Sequence, residues 1–225
     1  MELIIDVSAS AAAAGLARGG EVLWSGNLLT TRDHTTMLLP QILEGMTATG
    51  ARAADITLVT VATGPGPFNG LRVALAIAKG IAVAGGIPVA GVNSLLAEVN
   101  RCRADVEQLR PIVPAGKTTY ATALFCRDGT SRRQVDDSQV MSAVEITDIV
   151  SKNPVALCGD VDDGLRRVLQ KDTSAHFVEP EWSRIEALAA LGHERATAGE
   201  ADPVATLQPI YVRPPHITKP RERRH

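Results

Sequence analysis

The segment from Thr57 to Leu75 combines residue types that many α/β proteins use to hold a phosphate. A β-branched run, Thr57-Leu58-Val59-Thr60-Val61-Ala62-Thr63, enters Gly64-Pro65-Gly66-Pro67-Phe68-Asn69-Gly70 and leaves through Leu71-Arg72-Val73-Ala74-Leu75. Strand, glycine-rich loop and helix in that order offer backbone N–H groups and a positive helix terminus to an anion. The donors are short here, because Pro65 and Pro67 have no N–H to give. No Lys-Ser or Lys-Thr follows, so the loop is not a P-loop, and Asn69 stands at the third position of a GxGxxG pattern. Asp6 and Ser8 are the second candidate pair: a carboxylate can hydrogen-bond the residue two positions on and cap a turn, and a residual nucleotide or metal role is the other reading. The loop Ser8-Ala9-Ser10-Ala11 has no glycine to let a phosphate approach the backbone. Two readings stand, a rigid shaped turn and a degenerate nucleotide site of Asp6, Ser8, Gly64 and Gly66. The second allows weak ATP or ADP binding, and no cofactor is required.

Other chemistry is sparse. The histidines His34, His176, His193, His216 and His225 never fall within one helical turn of each other, which gives no metal pair of the HxxxH kind. No Ser/His/Asp or Cys/His arrangement can be assigned, and a protease reading finds no support. Cys102, Cys126 and Cys158 are odd in number and widely spaced, which suggests reduced, mostly buried thiols. The formal charge of −2 offers no general attraction to phosphate backbones, and 3% aromatic content gives few platforms for unpaired bases. A direct RNA-binding role is thereby disfavoured. The start, Met1-Glu2-Leu3-Ile4-Ile5-Asp6, lacks the basic region of a signal peptide. The longest apolar stretch, Val73 to Ile87, is interrupted by Lys79 and glycines and is not expected to span a membrane. A cytoplasmic location is the expectation.

These residues need elements to position them. Leu3 to Val7 reads as a buried strand, and Ala11 to Arg18 and Glu21 to Leu28 as a hairpin turning at Gly19-Gly20. Thr35 to Thr49 reads as a helix capped by Asp33, with a kink or a later start at Pro40. Thr57 to Ala62, Gly70 to Ala84 and Pro88 to Val92 form a β-α-β crossover, closed by a helix from Ser94 to Cys102. The charged stretch Arg101 to Arg110 suggests a boundary: one lobe over 1–105, a second over 106–213, and a tail over 214–225, with the last helix and tail free to pack back on the first lobe. In the second lobe, strands are expected at Thr118 to Cys126, Arg133 to Met141, Pro154 to Cys158 and His176 to Val178. Helices are expected at Ala143 to Ser151, Val161 to Gln170 and Arg184 to Thr197.

Several blocks together resemble the TsaB (YeaZ) family. Gly64-Pro-Gly-Pro-Phe-Asn-Gly-Leu-Arg72, Ala78-Lys79-Gly80 and Gly86-Ile-Pro-Val-Ala-Gly-Val-Asn-Ser-Leu95 resemble the wording GPGSFTGLRIG…AKGLA…GIPVVGVSSL. Leu3-Ile-Ile-Asp6-Val-Ser8, the helix from Asp33 to Ile42, and Pro209-Ile210-Tyr211-Val212-Arg213 fit in order, as LALDTS, EHSERLLPMI and P-x-Y-x-R. The likeness is continuous over about the first hundred residues and weak until the closing block. It implies an α/β protein of two ribonuclease-H-like lobes, in the actin/Hsp70/sugar-kinase (ASKHA) group. It also implies a non-catalytic partner of TsaD, the subunit that places a threonylcarbamoyl group on the adenosine 3′ of the anticodon in tRNAs reading codons that begin with A. A TsaE-type ATPase would join the complex, and the chain alone would form a homodimer, touching tRNA only indirectly. One block departs: where many members have D-A-R-x-G-E-V-Y, this chain has Pro114-Ala115-Gly116-Lys117-Thr118-Thr119-Tyr120. The alternative is a stand-alone ATP-hydrolysing or kinase-like enzyme of the same fold.

The resemblance also places the partner surface on two helices. Leu38, Ile42 and Met46 repeat every four residues with Leu39 and Leu43 beside them, an apolar stripe. On the next helix Leu75 is apolar, while Arg72 and Lys79 lie seven apart on one face and rim an interface or reach acidic groups of a partner. Both helices would pair as a four-helix bundle with TsaD or a second copy, and Ile42→Asp would give a folded monomer. The basic end (Arg213, Lys219, Arg221, Arg223, Arg224) reads as a solvated tail.

Overall fold

The computed structural model describes residues 1–9, 12–28, 34–102, 105–116, 118–129, 131–172 and 175–212. Asp33, proposed above as a cap, and the tail from Arg213 onward lie outside these residues. The first sheet contains β1 (Glu2–Asp6), β2 (Ala12–Arg18), β3 (Glu21–Leu28), β4 (Leu58–Gly64) and β5 (Val89–Asn93), in the order β3-β2-β1-β4-β5. β1 pairs antiparallel with β2 and parallel with β4, and β4 runs parallel to β5. Three meandering strands followed by a crossover helix and a parallel strand give the lobe that the sequence implied.

The pleat of β1 explains why the whole strand is buried. Leu3 and Ile5 point to one face, where α1 (His34–Thr49) and α2 (Phe68–Gly85) cover the sheet. Ile4 points to the other face, where it meets Ile185, Leu188 and Ala189 of α6 (Arg184–Thr197). The C-terminal helix therefore packs back on the first sheet. Gly192 permits this, because a Cβ there would strike the Thr60 side chain of β4. α1 runs unbroken through Pro40, its seventh residue, so the expected later start is corrected. Burial of Leu38 and Ile42 on the sheet holds a turn whose proline lacks one N–H.

The second sheet repeats the scheme. β6 (Gln108–Pro114) is its centre, flanked by β7 (Thr119–Thr122) and β11 (Ala156–Gly159), with β10 (Gln139–Ser142) and β12 (His176–Phe177) outside them in the order β10-β7-β6-β11-β12. A hairpin of β8 (Phe125–Asp128) and β9 (Ser131–Gln134) is added, with β8 continuing along β6. The single expected strand from Thr118 to Cys126 is thus two strands, parted where the Leu124 N–H turns to Asp136 Oδ1 at 2.5 Å. The expected strand from Arg133 to Met141 is likewise split. α4 (Ala143–Lys152) and α5 (Asp163–Asp172) cover one face. α3 (Ser94–Arg101) covers the other with Leu95 and Val99, and also packs against α6. α3 and α6 together therefore join one sheet to the other.

α2 is long and apolar enough, by length and composition, to cross a membrane. Its Leu71, Ala74, Leu75, Ala78 and Ala82 are buried on the sheet, which is the behaviour of a sheet-covering helix.

Candidate functional site

The end of β1 and the loop after β4 meet, as the sequence suggested, and each is filled by protein. Asp6 is buried, and its Oδ1 accepts the Ser8 N–H at 2.9 Å and the Ser8 hydroxyl at 2.6 Å. Its Oδ2 accepts Arg184 Nε at 2.6 Å, from the first residue of α6. Arg184 Nη2 donates to Ser8 Oγ at 2.5 Å, and Nη1 is paired with Glu98 of α3. Glu98 is 0% exposed and also pairs with Arg101 at 2.7 Å. Two buried carboxylates on different elements thus share one guanidinium.

Burial pushes the Asp6 carboxyl up, but the Arg184 charge and hydrogen bond, with the two hydrogen bonds from Ser8, outweigh it and leave it below the ordinary carboxylate range. A depressed folded value means that stability is gained above the unfolded value and lost as pH falls through the folded one. Asp6→Asn should therefore be less stable than wild type near neutrality and show a flatter decline in acid. Urea unfolding followed from neutral pH down to about pH 2, below the usual aspartate value, tests this. Parallel acid limbs for the two proteins would refute it.

The glycine loop is shaped for close packing. A Cβ on Gly66 would lie 2.5 Å from Ser8 O and 2.7 Å from Ser8 Cα, and one on Gly70 would lie 2.8 Å from Val7 O. The room a phosphate would need at Gly66 is taken by the backbone after β1. The closing block seats itself on the same loop: the Ile210 N–H donates to Thr63 O at 2.7 Å, and a Cβ on Gly64, at φ +106°, would lie 2.8 Å from Ile210 O. The Tyr211 ring lies 4.8 Å from that of Phe68, and Arg72 is 5.3 Å from the Phe68 ring centroid. The metal-bound nucleotide that the fold group implies does not fit these residues, since its carboxylate is already neutralised and its glycine cradle filled. Among the described residues no group of three or more His, Cys, Asp or Glu is placed to hold a metal.

The partner stripe needs correction. Leu38 and Ile42 are in the core, Ile42 at 3% exposure, and Leu75 is buried on α2, so these three present nothing to a partner. Their four-residue repeat marks the face that meets the sheet, and Met46 at the end of the repeat is half-buried against the same core. Leu39 and Leu43, one step round the helix, are 50% and 55% exposed. With Met37 on α1 and Val83 on α2 they form the exposed apolar residues of this layer. Arg72 is exposed and Lys79 half-buried. Ala74, Ala78 and Ala82 serve the sheet, whereas Gly80 is exposed with nothing within 4 Å of a Cβ.

Glu98, Arg101 and Arg184 were missed. The i, i+3 spacing of Glu98 and Arg101 is visible in sequence, but reads as an ordinary surface pair. The link to Asp6 spans 178 positions and has no local signal. Of the other sequence features, Tyr120 donates to Asp162 at 2.6 Å, and Cys102 and Cys158 are buried free thiols.

The profile of the family described as TsaD, tRNA N6-adenosine threonylcarbamoyltransferase, matches residues 28–190. An uncharacterized protein of Mycobacterium tuberculosis is 39% identical over 95 residues, 41% of this chain and 45% of that one. The TsaB protein of Escherichia coli is 33% identical over 94 residues, 42% of this chain and 40% of its own length. The chain thus spans less than half the length of these curated relatives. The likeness to TsaB of Bacillus subtilis extends further, at 27% identity over 94% of this chain and 93% of that one. Among solved structures, YeaZ from Pseudomonas aeruginosa superposes with a TM-score of 0.72 at 20% identity, covering 93% and 98% of the two chains. An activator of 2-hydroxyisocaproyl-CoA dehydratase from Clostridium difficile shares the wider fold, with a TM-score of 0.53 at 12% identity, covering 88% and 95%. The fold is that of the ASKHA group, and the chain belongs to the TsaD-type tRNA N6-adenosine threonylcarbamoyltransferase family, as a member of its TsaB/YeaZ kind.

Proposed function

We propose that this chain is a non-catalytic subunit for forming the threonylcarbamoyl group on the adenosine 3′ of the anticodon, in tRNAs reading codons that begin with A. The observation that carries this reading is the Asp6–Arg184 pair: the carboxylate that a kinase-like or ATP-hydrolysing version would keep free is buried and consumed by a guanidinium. The stand-alone enzyme reading is correspondingly disfavoured. The names of the TsaB relatives supply the pathway, and the TsaD-type transferase is the partner proposed. Contact is made through Leu39, Leu43, Met37 and Val83, rimmed by Arg72 and Lys79, with exposed Gly80 letting a partner helix approach closely. The same band pairs two copies when the transferase is absent. The TsaE-type ATPase joins through the complex, tRNA is reached through the partner, and the assembly works in the cytoplasm. The boundary near residue 105 divides the two lobes.

The test is reconstitution with the TsaD-type and TsaE-type proteins of the same organism. Nucleoside mass spectrometry of the tRNA should show modification with this chain present and background without it. Full modification in its absence would refute the proposal.

A further inference from the structure

Arg184 holds two buried carboxylates. Asp6 is 1% exposed and Glu98 is 0% exposed, and the guanidinium between them leaves only 12% of its own side chain in solvent. Leaving Asp6 ionised and unpaired in such a place, or Glu98 with Arg101 alone, is unfavourable. The two acids belong to different parts of the molecule. Asp6 ends the central strand of the first sheet, whereas Glu98 lies on α3, whose Leu95 and Val99 are in the core of the second sheet. The segment before α6 is tied to α3 as well: Arg101 O accepts the Glu181 and Trp182 N–H groups at 2.9 and 3.2 Å, and Arg101 Nε donates to Trp182 O at 3.0 Å. Beside this cluster opens a cleft of about 310 Å³ whose walls come from both sheets, with Asp6 and Asn27 from the first, Asp160 from the second, and Arg101 and Arg184 between.

We propose that Arg184 is an internal cation that locks this cleft. It supplies the positive charge that a metal-bound ligand would otherwise have to bring to Asp6, and through Glu98 it fixes α3, and the second sheet packed on it, in one orientation. The cleft is then held in its shape by the chain itself, with no nucleotide needed to bridge the sheets. This inference rests on the same Asp6–Arg184 pair as the functional reading but is tested on the isolated chain, without the partner or tRNA.

The test compares wild type with Arg184→Ala by thermal melting and by hydrogen exchange read at α3. Wild type should give the same melting temperature with and without magnesium ATP. Arg184→Ala should melt lower, and its α3 amides should exchange about tenfold faster or more, because local opening becomes easier. Millimolar guanidinium, far below denaturing concentrations, should restore both by refilling the gap. Adding Asp6→Asn and Glu98→Gln to Arg184→Ala removes the buried charge left unpaired at Asp6 and the one left with Arg101 alone at Glu98, and should regain melting temperature, while the α3 amides stay fast because the strut is still missing. That triple variant also serves if Arg184→Ala does not fold. Wild-type exchange at α3 in either variant would overturn the lock. A rise in the wild-type melting temperature with magnesium ATP, abolished by Asp6→Asn, would overturn the role of Arg184 as the cation that stands in for a metal-bound ligand.

Discussion

Ile42→Asp should fail to fold, while Leu43→Asp should fold normally and fail to pair. The two residues are adjacent on α1 and equally apolar, but Ile42 is 3% exposed against the first sheet and Leu43 is 55% exposed. A carboxylate at position 42 enters an apolar core that includes Leu3, Ile5, Val59 and Leu75. Removing the isoleucine side chain alone costs about 2–5 kcal/mol, and burying an unpaired charge adds several more. A domain with a total stability of about 5–15 kcal/mol has little margin for such a loss. At position 43 the carboxylate stays in water, so the change in stability should be within about 0.5 kcal/mol. If the exposed band of α1 and α2 is the pairing surface, a charge at its centre should weaken association by about 100-fold, the scale of an interface hot spot. Circular dichroism melting and analytical ultracentrifugation, with and without the TsaD-type partner, separate the outcomes. A folded Ile42→Asp would show that α1 does not pack as described. A folded Leu43→Asp that pairs with wild-type affinity would place the interface elsewhere.

That contrast also shows what sequence could and could not say. Periodicity correctly marks α1 as amphipathic, but a repeat of four finds the most apolar face, and in a helix lying on a sheet that face is the one turned inward. The partner-facing residues are the lesser ones beside it. The first sheet was legible because its strands are apolar runs bounded by Gly19-Gly20 and by the Gly64–Gly70 loop. β6 was not, although it is the centre of the second sheet. Its Arg110 and Pro111 follow a charged stretch and look like a linker. Pro111 is tolerated because it falls between the part of β6 that pairs with β8, at Gln108 and Leu109, and the part that pairs with β7, from Ile112 to Pro114. Gly64 and Gly66 were found by type and spacing, Asp6 and Ser8 through the resemblance, and the structure brings them together. The neutralisation of Asp6 was invisible, because Arg184 lies 178 positions away and meets it only through the packing of α6 on the first sheet.

Gly66→Ala should destabilise the protein without any ligand present. The added Cβ would lie 2.5 Å from Ser8 O, 2.7 Å from Ser8 Cα and 2.9 Å from Ser8 C, closer than real Cβ contacts come. These are backbone atoms, so no side-chain rotation relieves the clash, and either the loop or the end of β1 must shift. Overpacking of this kind costs about 1–3 kcal/mol. The shift also reaches the buried charge, since the Ser8 N–H and hydroxyl both donate to Asp6. Gly80→Ala is the matching control: nothing lies within 4 Å of its Cβ, and replacing glycine inside a helix should stabilise by about 0.5–1 kcal/mol. A glycine kept for contact with phosphate would behave differently. Its substitution would leave the unliganded protein untouched and weaken nucleotide binding instead. Unfolding both variants in urea without nucleotide therefore distinguishes a loop built to pack on β1 from one built to hold a ligand. If Gly66→Ala unfolds at the wild-type midpoint, the close approach of the two backbones is not what the loop is for.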